Sequence, residues 1–195
     1  MLYGFLMVLF FLFFFASVSD AFSSKRSSLV TPLSLRLNHK RFIVCSTASR
    51  DDVGKKLYDA ATKGDVDKLK LLITETKGDK DTLNWRAKER YGRTPLVIAS
   101  YYGKFDAVKL LMSTKGVDVN LGTDFGATAL HFAAHRGHFD VVKLLLADRR
   151  TKVNVLSTGG KWTGKTALDV CGGMGMSGKP EVIEAIKKKG GKPGK

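Results

Sequence analysis

Short apolar stripes at helical spacing, separated by glycine, run along most of this chain. Between Phe125 and Leu146 the segment FGATALHFAAHRGHFDVVKLLL holds two of them, one on each side of Gly137. In the second, Val141, Val142, Leu144 and Leu145 recur as one face of a helix would require. In the first, Ala133 and Ala134 are small enough to let two helices approach closely. Thr128 stands where a side-chain oxygen can cap the free amides of a first helical turn, and Gly137 permits a tight turn between the helices. The pattern recurs. Thr94-Pro95-Leu96 leads through Ala99 to Gly103 and then to Phe105-Asp106-Ala107-Val108-Lys109-Leu110-Leu111. Leu57-Tyr58-Asp59-Ala60-Ala61 runs to Gly64, followed by Val66, Leu69, Leu71 and Leu72, and Gly164-Lys165-Thr166-Ala167-Leu168 leads to Gly175. An all-α fold of paired short helices is predicted. One pair cannot bury its apolar face alone, so the pairs must stack.

The spacing is regular. Thr94 and Thr128 lie 34 residues apart, as do Gly103 and Gly137, and Gly175 follows Gly137 by 38. Thr128-Ala129-Leu130-His131, with alanines at 133 and 134, is close to the T-P-L-H-x-A signature of the ankyrin repeat. Over about residues 53–190 the chain resembles the ankyrin-repeat family in four units. The middle two match well. The first lacks the Thr-Pro-Leu turn and starts polar, as a terminal capping unit should.

The resemblance implies a solenoid of about four helix-turn-helix repeats with short hairpin loops, and a non-enzymatic protein-binding role. It further implies a concave groove lined by the residue after the signature His position and by the pair before each Gly. Those are Ile98, Tyr101 and Tyr102, then Phe132, His135 and Arg136, then Val170, Gly173 and Met174. The hairpins add Arg86, Lys88, Arg90, Tyr91, Phe125, Lys161 and Trp162. The partner-binding set expected from these is Tyr101, Tyr102, Phe132, His135, Arg136, Met174, Arg90, Phe125 and Trp162. About half of the aromatics are expected to pack between units. Aromatic and arginine side chains are the usual anchors of interfaces, and the Lys/Arg rim favours an acidic protein segment with apolar anchors.

The ends of the chain differ from the repeats in composition. Residues 1–19 carry no charged side chain and are mostly Phe and Leu, and Ala16-Ser17-Val18-Ser19 breaks the run with small residues. Residues 1–21 read as a signal peptide, the alternative being an uncleaved anchor that leaves the protein secreted or membrane-anchored. Residues 22–50 hold seven Ser, six Lys/Arg and no Asp or Glu, the composition of a transit peptide, or else of a disordered linker. With Phe22 after the signal, the arrangement resembles the bipartite presequences of secondary plastids, and a plastid location is expected. The net charge is +15; residues 51–195 hold 27 basic and 17 acidic residues, an excess of +10. That excess opens an alternative function, binding to an anionic surface such as nucleic acid or lipid. The tail from Lys187 on, with residues 191–195 at its end, is basic and glycine-rich and is expected to be disordered.

Several motifs resemble catalytic or ligand sites. Gly159-Gly160-Lys161-Trp162-Thr163-Gly164-Lys165-Thr166 satisfies the phosphate-loop pattern. That loop needs a parallel sheet behind it, and the repeat register already accounts for Gly164, Thr166 and Leu168. His131, His135 and His138 have helical metal-ligand spacing, yet His138 lies beyond Gly137 and no carboxylate or Cys joins them. Only two cysteines occur, Cys45 and Cys171, which excludes a disulfide framework or a cysteine zinc site. Cys171 reads as a small buried residue in the first helix of the last unit. No cofactor, metal, small-molecule substrate or catalytic constellation is expected.

Overall fold

A computed structural model describes residues 49–171 and 179–194. The signal and transit segments up to residue 48, Cys45, Gly173 and Met174 lie outside the described residues. Ser49 and Arg50, at the end of the expected transit segment, already belong to the first helix. The Ser49 hydroxyl caps it by accepting from the Asp51 amide.

Eight α-helices occur among the described residues, with no β-strand: α1 (Arg50–Lys63), α2 (Val66–Glu75), α3 (Lys80–Leu83), α4 (Pro95–Tyr101), α5 (Phe105–Ser113), α6 (Ala129–Arg136), α7 (Phe139–Ala147) and α8 (Pro180–Lys188). Helices α1, α4 and α6 pack one on the next as a front row, while α2, α5, α7 and α8 form a back row behind them. Side chains also cap the starts of α2 and α4. The Asp65 carboxylate accepts from Lys68 N at the start of α2. The Thr94 hydroxyl accepts from Val97 N, with Pro95 in the first turn of α4, where its missing amide costs nothing. Leu57, Leu69, Val97, Val108, Leu111, Leu130, Val142, Leu145 and Ile186 are fully buried and run as one core between the two rows.

Two repeated devices fix the stacking. The first lies at the helix-helix turns. Gly103 has φ +68, and a Cβ there would come within 2.5 Å of His138 Nδ1 from the next unit. Lys104 lies close over Gly64, which has φ +80, in a similar way. The second lies at the base of each hairpin. Asn84 donates to Gly116 O and accepts from Asp118 N, each at 2.8 Å. Asn120 does the same to Arg150 O and Lys152 N, and Asn154 to Gly190 O and Lys192 N. Three asparagines thus clip three successive loops by their backbone.

The hairpins close on equivalent bonds, Ala87 N to Arg93 O, Thr123 N to Ala127 O and Ser157 N to Lys165 O, at 2.9–3.0 Å. They also join one another, through Asp124 N to Tyr91 O at 3.0 Å and Thr158 N to Phe125 O at 2.8 Å.

The charged stretch from Lys77 to Asp81 takes part in the fold: α3 starts at Lys80, and Arg50 pairs with Asp79 and Asp81. Two features differ from expectation. In the last unit, Thr166 to Cys171 form successive turns rather than a front-row helix. The basic tail is held rather than loose: Lys187 and Lys188 complete α8, and Gly190 and Lys192 sit on Asn154. Beyond them, Lys192 O accepts from the Thr166 hydroxyl, and Gly194 N donates to Asp169 Oδ2 at 2.7 Å. The reason is that this backbone occupies the place that residues 150–152 and 116–118 occupy one and two units earlier.

Candidate protein-interaction face

The front ends of α4 and α6 and the second and third hairpins bring most of the expected site residues together. His131, the signature histidine, sets the geometry. Its Nδ1 accepts from Thr128 N at 3.2 Å and lies 2.9 Å from the Thr128 hydroxyl. A backbone amide can only donate, so the ring proton sits on Nε2, which points at Lys165 O of the next hairpin at 3.3 Å. The histidine thus bonds the third unit to the hairpin of the fourth. Burial holds His131 below the ordinary histidine range. His138 Nε2 donates to Tyr101 O at 3.0 Å, and His135 Nδ1 lies 3.4 Å from Val170 O. The three histidines thus face three different carbonyls and do not converge.

On this frame lies a row of rings. Tyr101 meets Tyr102 edge-on at 5.0 Å and Phe132 at 5.9 Å. Phe132 meets Trp162 at 5.1 Å, and Trp162 meets His135 at 4.8 Å. The Arg136 guanidinium lies over the Tyr101 ring at 4.1 Å and donates to its hydroxyl. At the hairpin tips Tyr91 and Phe125 meet at 5.4 Å with their rings tilted by 40°, and both are exposed.

Exposure sorts the expected positions. Tyr102 is 48% exposed and Phe125 39%, whereas Phe132 retains only 7%, Val170 4% and Ile98 3%. Phe132 is the floor of the row, and Ile98 and Val170 belong to the interior. Tyr101, His135, Arg136 and Trp162 are half-buried.

Two cavities open along the face. One, of about 460 Å³, is lined by Tyr91, Arg93, Phe125, Phe132, Lys161 and Trp162 among others. The other, of about 370 Å³, lies between α1 and the first hairpin and includes Arg90, Lys88, Tyr58 and Trp85. Arg90 thus stands apart from the rest of the expected set. There Tyr58 and Trp85 meet edge-on at 6.1 Å, and Trp85 Nε1 donates to Asp51 at 3.0 Å. Burial pushes the Tyr58 hydroxyl up, against the pull of Arg93 and Arg90.

Arg93, absent from the expected set, is the central cation of the face. Its guanidinium lies 5.0 Å from the Tyr101 ring and 5.0 Å from the Phe132 ring. Only its place in the repeat could have flagged it, because the equivalent residue before the capping Thr is Ala127 in the next unit.

The phosphate-loop pattern is absorbed by the third hairpin. Gly164 N donates to Ser157 O, and a single 3₁₀ turn, Gly160–Trp162, lies between them. The Thr166 hydroxyl, which a nucleotide site would need for magnesium, is bonded to Asp169 and to Lys192 O. Burial raises the Cys171 thiol to about 11, as befits a packed side chain whose S–H reaches Ala167 O.

The family model described as "Ankyrin repeats (3 copies)" matches residues 40–122, 57–157 and 113–193. A curated relative, Protein fem-1 homolog C of Danio rerio, is 38% identical over 73 residues, which is 36% of this chain and 11% of that protein. The chain thus spans about a ninth of that relative's length. Ankyrin repeats serve in general as modules that bind other proteins. The repeat spacing, the histidine bridge and the family match lead to one statement: this chain belongs to the ankyrin-repeat family.

Proposed function

We propose that this protein is a non-enzymatic adaptor or escort that holds an acidic partner segment with apolar anchors along the face described above. The observation that carries this reading is a row of rings flanked by cations without acid partners. Arg90, Arg93, Arg136 and Lys161 take part in no ion pair among the described residues, whose pairs involve only Arg50, Lys70, Arg86 and Arg150 as cations. Half-buried rings give a partner apolar contact area, and the free guanidinium groups give it charge-assisted hydrogen bonds. The apolar start of residues 1–21 and the basic, acid-free stretch after it support delivery to a plastid. A fluorescent fusion of residues 1–50 that stays outside the plastid would refute that location.

The test of the binding role is capture from organelle extract by the full chain, at low and then moderate salt. A discrete partner should persist as salt rises, and Tyr102→Ala combined with Arg136→Ala should weaken its capture at least about tenfold. Heterogeneous capture that disappears with salt would point instead to binding of an anionic surface, nucleic acid or lipid.

A further inference from the structure

One corner of this face is built for two chemical groups side by side. The Nε of Arg93 is buried and donates to no group among the described residues. The guanidinium is held in place by the Tyr101 and Phe132 rings and not by any carboxylate. Asp124, on the neighbouring hairpin, is already paired with Arg86 at 2.7 Å. A buried cationic donor without an acceptor is costly, and a planar guanidinium is matched best by a carboxylate that takes two of its N–H groups. Beside it the cavity of about 460 Å³ is walled by Tyr91, Phe125, Phe132 and Trp162, with Lys161 among its lining residues. Walls of this kind favour a large apolar side chain.

We infer that this corner, given the protein-binding role proposed above, receives a peptide carboxylate together with the large apolar side chain next to it. Arg93 takes the carboxylate with help from Lys161, and the cavity takes the apolar group. A continuous polyanion fits less well. The adjoining cavity, which holds Lys88 and Arg90, is also lined by Asp51, Asp59 and Glu89, which repel a phosphate backbone or an anionic membrane.

The carboxylate can come from an internal Asp or Glu or from the end of a chain, and fluorescence anisotropy separates these sources. The full chain, in mild detergent because of its apolar first segment, is titrated with short labelled peptides. One is acetylated, amidated and carries an internal Glu-Phe. Two others replace that pair by Gln-Phe or Glu-Ala, and a fourth has no internal acid and ends in Phe with a free carboxylate. At least one carboxylate-bearing Phe peptide should bind about tenfold tighter than both the Gln-Phe and the Glu-Ala peptides. Which of the two does so identifies the source. Arg93→Gln should abolish the preference for acid over amide, and the exposed Lys161→Gln, which buries nothing, should reduce it a few-fold.

Equal binding of Glu-Phe and Gln-Phe, with no gain from a free chain end, would overturn the inference. So would an acid preference that survives both variants, or RNA or anionic vesicles bound at moderate salt without regard to Arg93. The peptide outcomes overturn this corner's role but not protein binding as such, which stands or falls on partner capture and the Tyr102/Arg136 pair.

Discussion

At the scale of the residue, His131 couples the third unit to the fourth and makes that coupling depend on pH. Its ring must be neutral to accept from Thr128 N while donating to Lys165 O. Burial lowers its affinity for a proton in the folded protein, whereas in the unfolded chain it titrates near the ordinary value of about 6.5. Below that value the unfolded state binds the proton more readily, so stability is complete above it and declines as pH falls toward the folded pKa. Urea unfolding should show this slope in the native protein and lose most of it in His131→Gln. Replacement by Ala should also cost about 2–4 kcal/mol, since it leaves a cavity and deprives the buried Thr128 N of its acceptor, while Lys165 O keeps its bond from Ser157 N. The histidine was legible in the sequence because its motif is local. Arg93 was not, because its importance comes from Tyr101 in the following helix and Phe132 in the next unit, and neither contact has a sequence signal.

At the scale of the element, helices were legible and their linkages only partly so. Apolar stripes and glycine turns depend on neighbours along the chain, and these gave the back-row helices and the sharp turns at Gly103 and Gly137. The asparagine clips join side chains to backbone 30 or more residues away, and backbone amides carry no residue identity to read. For the same reason a basic, glycine-rich tail reads as disordered although Asn154 and Asp169 hold it. Asp169 is buried in part, which would raise its carboxyl. Amide bonds from Thr166 and Gly194 and the Thr166 hydroxyl nevertheless hold it below the usual carboxylate range. The front-row helix expected after Thr166 gives way to turns, although Asp169 accepts from the Thr166 amide just as His131 accepts from Thr128 N at the start of α6. Asn120→Ala should destabilise the protein by about 1–3 kcal/mol, as Arg150 O and Lys152 N lose their partner. Asn120→Asp keeps the acceptor but not the donor and should cost less, a difference that thermal melting would show.

At the scale of the molecule, each unit touches only its neighbours, so stability is close to a sum of units and interfaces. Removing residues 190–195 strips Asn154, Thr166 and Asp169 of backbone partners, and the last unit should loosen first. Hydrogen exchange should accelerate at amides of the third hairpin and α8 while those of α4 hardly change. The clips are regular, but the loops above them are not. The spans Asn120–Gly126, Asn84–Gly92 and Asn154–Gly164 lengthen by two and then by two more residues, while the asparagine at each base keeps its two backbone bonds. Recognition and architecture are therefore separable by inheritance and by design. A tip can be lengthened, shortened or exchanged for one with a different preference, and the scaffold that carries it has no need to be rebuilt.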